Sequence, residues 1–247
     1  PHSVAVARYA ALIRTKSPTN WDSQLAKSLF QTRSGIEEEI LKKKKISMLL
    51  LAVIGIILVG VGVAFNAAAA LGNDPVGMMY DGIRSAAGLT SEQLGTASNL
   101  VNVVLVVLVF FTGRKYVNIG TLVYCIPYGT IVGLGGKLYH RIFPVQNPGT
   151  QILGAVLGCP MLYSGVAMYI TADIGLDPFT GVVMVIKDRL GKEFRTVKIG
   201  FDISCIIIGT ILGGKLGVIT VITALTAGPV IQFLSDQMNK MRKAYGK

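Results

Sequence analysis

The chain has 247 residues, of which 51% are hydrophobic and only 15% are charged, and its mean hydropathy is +0.57. This composition leaves too little polar side chain to cover a water-soluble globule of this size, so it excludes an ordinary soluble domain and favours a membrane protein. The net charge of +11 does not indicate nucleic-acid binding, because the positive residues lie at the ends of apolar segments.

Residues 1–45 are polar to amphipathic and contain no segment long enough to cross a bilayer, so we expect a cytoplasmic N-terminal extension. Apolar residues recur there at helical spacing and precede a basic run at 42–45, as shown by Trp21, Leu25, Leu29 and Phe30. This pattern predicts an amphipathic helix. The helix would lie on the membrane surface or pack against the protein's own loops, and both alternatives stay open.

Six apolar segments farther along the chain reach or approach the roughly 20 residues that a bilayer crossing needs. They cover about 46–71, 94–112, 117–138, 151–172, 196–213 and 216–233. Two shorter amphipathic segments, 75–87 and 178–190, would extend only about 20 Å as helices, so we expect interfacial or re-entrant helices there. The sequence therefore predicts an all-α membrane protein with six transmembrane helices.

The distribution of positive charge predicts the orientation of these helices. With six crossings and a cytoplasmic N-terminus, all Lys and Arg residues fall on the inner side except Arg84, Lys137, Arg141 and Lys215. Both termini, including a basic tail at 237–247, are then cytoplasmic. Eight crossings would divide the charges almost as well. We expect six crossings because the two short segments are not long enough to span the bilayer.

The chain contains an internal repeat. An offset of 103 residues, from Asp74 to Asp177, also aligns further pairs: Gly62 with Gly165, Gly72 with Gly175, Pro75 with Pro178, and Gly88 with Gly191. Residues 46–138 and 139–236 therefore form two three-span repeats. Because three is an odd number of crossings, the second repeat must be inverted, an arrangement that is frequent in transporters.

Each repeat carries a G-x-D-P turn after its first span, at 72–75 and 175–178. Glycine permits the chain reversal, aspartate caps the next helix, and proline loses no hydrogen bond at a first helical position. One interpretation is that these residues only cap the start of the next helix. Alternatively, the turns and the positive ends of the short helices line a substrate path.

Asp202 is the outstanding ionisable residue within an apolar segment, where a charge needs a partner or a water-filled cavity. The repeat places Asn99 at the equivalent position, and a polar pair of this kind would suit a cation, a proton or a polar substrate. The alternative is a local ion pair, because Lys198 precedes Asp202 by one helical turn.

No enzyme motif or metal-ligand spacing is present, so we expect no enzyme activity, catalytic residue, metal or cofactor. The three cysteines, Cys125, Cys159 and Cys205, are interpreted as packing residues. Glycines four residues apart, such as Gly209 and Gly213, favour close helix packing within the bundle or across a homodimer.

The paired turns occur together with several further motifs: Gly95-Thr96, Asn118-Ile119-Gly120-Thr121, the glycine-rich run 209–217, Thr220 and Gly228-Pro229. In this combination the chain resembles the YczE/YyaS/YitT group of bacterial membrane proteins over about residues 46–236. The resemblance implies a bacterial cytoplasmic-membrane protein of a group described as transporters or as uncharacterised. Many members carry an aromatic residue or an arginine after the turn proline, where this chain has Val76 and Phe179, so we expect no arginine function there.

Two functions are compatible with these features. The first is a transporter or channel for a small molecule or ion, with its pathway between the repeats and lined by Asn73, Asp74, Pro75, Asn99, Asp177, Pro178 and Asp202. The second is a non-transporting anchor or accessory subunit of a partner complex. A polar cavity at the level of Asn99 and Asp202 would favour transport, whereas a dry, tightly packed centre would favour the subunit.

Overall fold

The computed structural model describes the backbone of residues 20–245 and the side chains of 28–242 except 31, 33 and 40. Within this part the chain is helical and has no strand, so the predicted all-α class is confirmed. The helices are α1 (Asn20–Ala69), α2 (Pro75–Ala86), α3 (Leu94–Gly113), α4 (Ile119–Ile142), α5 (Pro148–Ala172), α6 (Pro178–Leu190), α7 (Phe194–Ile211) and α8 (Val218–Tyr245). Short 3-10 turns, Ser91–Gln93 and Arg114–Tyr116, flank α3.

The chain divides into two units, 1–47 and 48–247. In the first unit, residues from Asn20 onward are helical, as predicted for the extension, and Leu29 and Phe30 are exposed. The predicted amphipathic pattern also involves residues 1–19 and the side chains of Trp21 and Leu25, which lie outside the described residues. An exposed ion pair joins Lys43 to Glu39 one turn earlier (2.8 Å).

Among the described residues, five helical segments are long and apolar enough to cross a membrane: Ser28–Ala69, Ser91–Tyr116, Ile119–Ile142, Pro148–Ala172 and Val218–Arg242. Many of their large apolar side chains face outward, and Phe111, Ile126 and Leu225 are each more than 70% exposed. Outward-facing apolar surface on this scale is what lipid requires. The sixth predicted span, 196–213, corresponds to α7, which is not among these five because its 18 residues include Arg195, Lys198 and Asp202.

The two predicted short helices are present as α2 and α6, with 12 and 13 residues. Each packs against a long helix of the other half of the sequence: α2 lies against α7, and α6 lies against α3. The α2–α7 contact is close because both helices present glycine, and a Cβ added at Gly82 would lie 2.4 Å from the Gly209 carbonyl oxygen. The two halves are therefore interlocked through their short helices.

Glycine also permits the close crossings between the long helices. A Cβ at Gly62 of α1 would lie 2.6 Å from the Leu162 nitrogen of α5, and a Cβ at Gly95 of α3 would lie 2.0 Å from the Gly129 oxygen of α4. The α5 and α8 helices pack against each other as well. The buried core formed by these crossings contains tyrosine and small apolar residues.

Candidate functional site

The first G-x-D-P turn connects α1 to α2. Gly72 has a φ of +103°, which glycine adopts without strain, and the chain then reverses direction. The Val76 N–H donates to Asp74 Oδ2 (3.2 Å), so Asp74 caps α2, and Pro75 occupies the first helical position. The local chemistry predicted for this turn is confirmed.

Asn73 fixes this turn to the rest of the protein. Its side chain is 1% exposed, its Nδ2 donates to the Val63 oxygen of α1 (3.1 Å), and its Oδ1 accepts from the Asp74 N–H (3.0 Å). Its own N–H donates to Thr220 Oγ1 of α8 (3.1 Å). Asn73 therefore ties the turn to helices of both halves.

The second turn repeats this geometry between α5 and α6. Gly175 has a φ of +154°, the Thr180 N–H donates to Asp177 Oδ1 (3.0 Å), and Pro178 begins α6. The hydroxyl of Thr121 in α4 donates to the Leu176 oxygen (2.8 Å). Thr121 therefore connects the second turn to a helix of the first half, just as Thr220 connects the first turn to a helix of the second half.

The glycines near these threonines show the same correspondence. A Cβ at Gly120 would lie 2.3 Å from the Ile174 oxygen, and a Cβ at Gly217 would lie 2.0 Å from the Leu71 oxygen. Leu71 and Ile174 are equivalent positions of the two turns. In both halves, the start of the last helix is therefore seated on the turn of the opposite half.

An aromatic contact joins the two short helices. Tyr80 of α2 and Phe179 of α6 meet edge to face with ring centroids 5.5 Å apart, and both are almost completely buried. Tyr80 also contacts Tyr128 of α4 (5.8 Å), which stacks on Tyr124 (4.9 Å). The Tyr80 hydroxyl donates to Asn102 Oδ1 of α3 (2.9 Å). The middle of α2 and the first turn of α6 are therefore in contact in the buried core.

Asn99 and Asp202 each have a separate partner. Asn99 Oδ1 accepts from the Gly129 N–H of α4 (3.0 Å), whereas the Lys198 ammonium donates a very short hydrogen bond to Asp202 Oδ1. Between residues 28 and 242, no hydrogen bond or ion pair joins Asn99 to Asp202. The local ion pair between Lys198 and Asp202, which was the alternative to a binding site at Asp202, is therefore present.

Three buried polar atoms make no hydrogen bond of ordinary geometry within the described part of the chain: Asp74 Oδ1, Asn66 Nδ2 and Asn102 Nδ2. Asn66 and Asn102 are both 0% exposed. The other amide atom of each is occupied, since Asn66 Oδ1 lies 3.7 Å from the Cys159 sulfur and Asn102 Oδ1 accepts from Tyr80. Buried polar groups are nearly always paired, so these atoms indicate a place where water, an ion or a ligand would bind.

Asp74 lies outside the five candidate spans and has an altered acidity. Burial raises the pKa of its carboxyl from 3.8 to about 6, and Asp202 acts in the same direction. The Gly77 and Val76 N–H groups and the Lys198 ammonium partly oppose this increase. The structure thus brings the first turn and the α7 ion pair into one electrostatic environment.

Two ionic contacts lie at the ends of the short helices. In α2, Arg84 Nε pairs with Asp81 Oδ1 (2.9 Å), and Asp81 Oδ2 accepts from the Lys215 N–H (2.9 Å). Near the end of α6, Asp188 accepts hydrogen bonds from Lys115 Nζ (2.5 Å) and from the Tyr116 hydroxyl. The Lys115 ammonium, followed by the Tyr116 hydroxyl, lowers the pKa of the Asp188 carboxyl.

Two cavities are found away from the centre. One of about 30 Å³ is lined by charged and small residues that include Asp81, Arg84 and His140. The other, of about 300 Å³, is an open groove between α6 and α7 that includes Leu190 and Phe201. Neither is lined by Asn99 or Asp202. Among the described residues, no group of three His, Cys, Asp or Glu side chains is placed to hold a metal ion.

Several residues of this centre are not recognisable as site residues from the sequence. Tyr80 carries no motif that distinguishes it from other tyrosines, and the position of Asn102 in an apolar segment indicates only a contact between helices. Thr220 is one of the motif residues, and with a shift of four residues from the offset of 103 it aligns with Thr121, which is the available signal for the seating of each turn. The pathway role of the seven predicted residues stays a prediction.

Comparison with known proteins gives the family of the chain. A model described as a family of unknown function (DUF6198) matches residues 46–236, and one described as a family of unknown function (DUF6783) matches residues 1–42. An uncharacterised protein of Haemophilus influenzae is 28% identical over 190 residues, which cover 77% of this chain and 83% of that protein. An uncharacterised membrane protein of Bacillus subtilis, YczE, is 24% identical over 185 residues, 74% of this chain and 83% of that protein. No solved structure matches the chain.

The apolar helices and the relative named as a membrane protein define a helical membrane protein with several candidate spans. The chain belongs to the DUF6198 family of unknown function. The resemblance to the YczE group, predicted from the turns and glycine motifs, is confirmed.

Proposed function

We propose that the protein is a transporter or channel for a small molecule or an ion. Its six membrane crossings would form two inverted three-span repeats, with the pathway between them. The observation that carries this proposal is the matched seating of each turn on the opposite half, through Thr220 at Asn73 and Thr121 at Leu176. Inverted repeats of this kind place a substrate site at their interface, where interrupted helices meet.

The centre of the protein has the chemistry that a pathway needs. The middle of α2 and the first turn of α6 meet there through Tyr80 and Phe179, and each helix is capped by a carboxylate, Asp74 or Asp177. Unpaired buried polar atoms are costly in a purely structural core, and here they lie on α1, α3 and the first turn. In a rocking mechanism, the aromatic contact between Tyr80 and Phe179 would separate and reform as the two halves move.

The proposal requires α7 to cross the membrane. Its polar residues lie in the first half of the helix, where Lys198 neutralises Asp202, and the remainder is apolar apart from Ser204 and Thr210. Packing against α2 covers one of its faces. The Lys and Arg distribution supports a bacterial cytoplasmic membrane location with both termini inside. The predicted homodimer stays a prediction.

The crossing by α7 can be tested by labelling single cysteines on both sides of it. In a variant without the native cysteines, Lys192→Cys lies before α7 and Lys215→Cys lies after it, and both positions are exposed. We expect a membrane-impermeant maleimide added to intact cells to label Lys215→Cys at once. Lys192→Cys should react only after the membrane is permeabilised.

Labelling of both cysteines from the same side would contradict the six-span arrangement and support five crossings. Correct folding of each variant is checked by its elution from size-exclusion chromatography in detergent. This control matters because Cys205 is buried and its replacement removes packing.

Substrate binding can be tested by the thermal stability of the purified protein in detergent against ions, amino acids, organic acids and sulfur compounds. We expect one compound class to raise the melting temperature of the wild type, because a ligand that binds only the native state adds about 2.7 kcal/mol at a hundred times its Kd. Asp202→Asn should reduce this increase. Asp236→Asn, which removes an exposed carboxylate in α8, is the matched control and should retain it.

The same compounds are then tested for uptake into proteoliposomes. Uptake that is lost in Asp202→Asn and kept in Asp236→Asn would support the pathway assignment. If no compound class stabilises the protein or enters the vesicles, transport is contradicted and the predicted role as a membrane anchor or accessory subunit takes its place.

A further inference from the structure

The Asp74 carboxylate differs from the other capping aspartate in how its two oxygens are used. Oδ2 accepts the Val76 N–H that caps α2, but Oδ1 is buried and makes no ordinary hydrogen bond to the described residues. At Asp177 no such unpartnered buried atom is found. The Gly77 N–H only partly offsets the cost of burying this charge, so the oxygen favours binding a proton or contacting water.

Titratable groups from four helices act electrostatically on Asp74 or are influenced by it: Tyr80 of α2, Tyr128 of α4, Cys159 and Tyr163 of α5, and Lys198, Asp202 and Cys205 of α7. Lys198 is the single cation in this set. Because Lys198 already pairs with Asp202, the two carboxylates compete for one positive charge.

Two buried asparagine amides also have an unpaired nitrogen, on Asn66 and Asn102. Asn66 contacts Cys159, and Asn102 contacts Tyr80, and both of these partners interact electrostatically with Asp74. Amide N–H groups without partners can donate to water molecules, which would then connect to the free carboxylate oxygen. Among the described residues, the buried core therefore contains one acceptor and two donors that have no partner in the protein.

We propose that Asp74 is a proton-binding site in the centre of the protein and that the Lys198–Asp202 pair controls its protonation. In the protonated state the Asp74 carboxyl is neutral and Lys198 pairs with Asp202. On release, the Asp74 O–H bond breaks, the proton passes to a water molecule, and the carboxylate shares the Lys198 charge. The inference deepens the proposed function and rests on it for its physiological role, since it makes the coupling ion a proton.

This assignment moves the titrating group from Asp202 to Asp74. Asp202 is paired with the Lys198 ammonium. The close partners of Asp74 are the backbone N–H groups of Val76 and Gly77, and its Oδ1 is buried. Asp74 is therefore the group whose change of charge we propose, with the Lys198–Asp202 pair as its charged neighbour.

The test is an infrared titration of the purified wild type, Asp74→Asn and Asp177→Asn in lipid, from about pH 4 to about pH 8 around the pKa near 6. Asparagine caps a helix as well as aspartate does, so both variants keep their helix starts. We expect the wild type to show a buried protonated carboxyl band that disappears with a midpoint near 6. The band should be missing in Asp74→Asn and retained in the matched control Asp177→Asn.

The Lys198–Asp202 pair is tested by the direction in which the midpoint moves. Lys198→Gln removes the positive charge that favours the Asp74 carboxylate, so the midpoint should rise. Asp202→Asn removes a competing negative charge, so the midpoint should fall. Midpoints that stay the same in both variants would overturn the control by this pair.

The stability of the protein gives a second readout. A carboxyl whose pKa is higher in the folded state than in the unfolded state binds its proton more tightly when folded. The melting temperature of the wild type relative to Asp74→Asn should therefore be highest at acid pH and should fall as the pH rises from about 4 to about 6. A band that persists in Asp74→Asn, or a pH-independent difference in melting temperature, would overturn the site.

The titration needs no substrate, so its outcome is independent of the uptake screen. A band assigned to Asp74 with no uptake of any compound contradicts transport and leaves the proton site in place. Uptake that is independent of pH, together with no band at Asp74, contradicts the proton site and leaves transport in place.

Discussion

Gly95→Ala is expected to destabilise the protein by about 3 kcal/mol, at the upper end of the usual cost of overpacking. The added Cβ would lie 2.0 Å from the Gly129 oxygen and 2.9 Å from the Gly133 nitrogen, both of which are backbone atoms. Backbone cannot rotate away as a side chain does, so α3 and α4 must separate. Their separation would also lengthen the hydrogen bond between Asn99 and the Gly129 N–H.

The measurement is the apparent melting temperature in detergent, followed by size-exclusion chromatography of heated samples. Gly133→Ala is the control in the facing helix, because no atom lies within 4 Å of a Cβ at that position. Alanine is the better helix former, so this control should be neutral or slightly stabilising. Equal melting temperatures for the two variants would show that α3 and α4 cross at a greater distance than these contacts require.

Arg84→Met is expected to cost about 3 kcal/mol, because removing one partner of a buried ion pair leaves the other charge uncompensated. The side chains of Arg84 and Asp81 are only 14% and 12% exposed. Asp81 would keep one hydrogen bond, from the Lys215 N–H, and the Leu89 oxygen would lose its bond from Arg84 Nη1. We therefore expect loosening of the contact between α2 and the start of the loop after α7.

The double variant Asp81→Asn/Arg84→Met removes both charges and should recover part of the loss, which the melting temperature measures. Lys43→Met is the exposed counterpart, since the side chains of Lys43 and Glu39 are 76% and 65% exposed, and it should leave stability unchanged. If the single and double variants at Asp81 and Arg84 melt together, the cost comes from packing of the arginine stem and not from the unpaired carboxylate.

The helices were predicted well from the sequence wherever apolar runs and turn chemistry agree. The short helices begin at Pro75 and Pro178 as expected, because the aspartate–proline pair specifies a helix start through local interactions alone. We predicted a boundary between the extension and the first span at 45–46, but α1 is a continuous helix across these residues. A run of lysines is compatible with a helix, so a change in polarity there does not require a change in backbone.

The sixth predicted span, α7, illustrates a limit of hydropathy. Arg195, Lys198 and Asp202 make α7 too polar to be recognised as a crossing by composition, although its second half is apolar. The pairing of Lys198 with Asp202 is set by their i, i+4 spacing, which is why the sequence offered it as an alternative. The contribution of α2 as a covering surface depends on tertiary packing and cannot be read from α7 itself.

The candidate site was predicted only in part for the same reason. Local chemistry identified Asp74 and Asp177 as turn residues, and these caps are present. The partner of Asn99 is a backbone N–H of α4, which only the crossing at Gly95 brings within reach. Whether an aspartate oxygen finds a donor also depends on neighbouring helices, so nothing in the sequence distinguished the two turns.

The packing of α2 on α7 has a consequence for the order in which the protein is made. Four helices, from α3 to α6, are synthesised between these two partners. The glycine face of α2 therefore lacks the surface against which it packs until α7 has been synthesised. The packing of the two halves through α2 is therefore completed only after α7, a helix of the second half, has been synthesised.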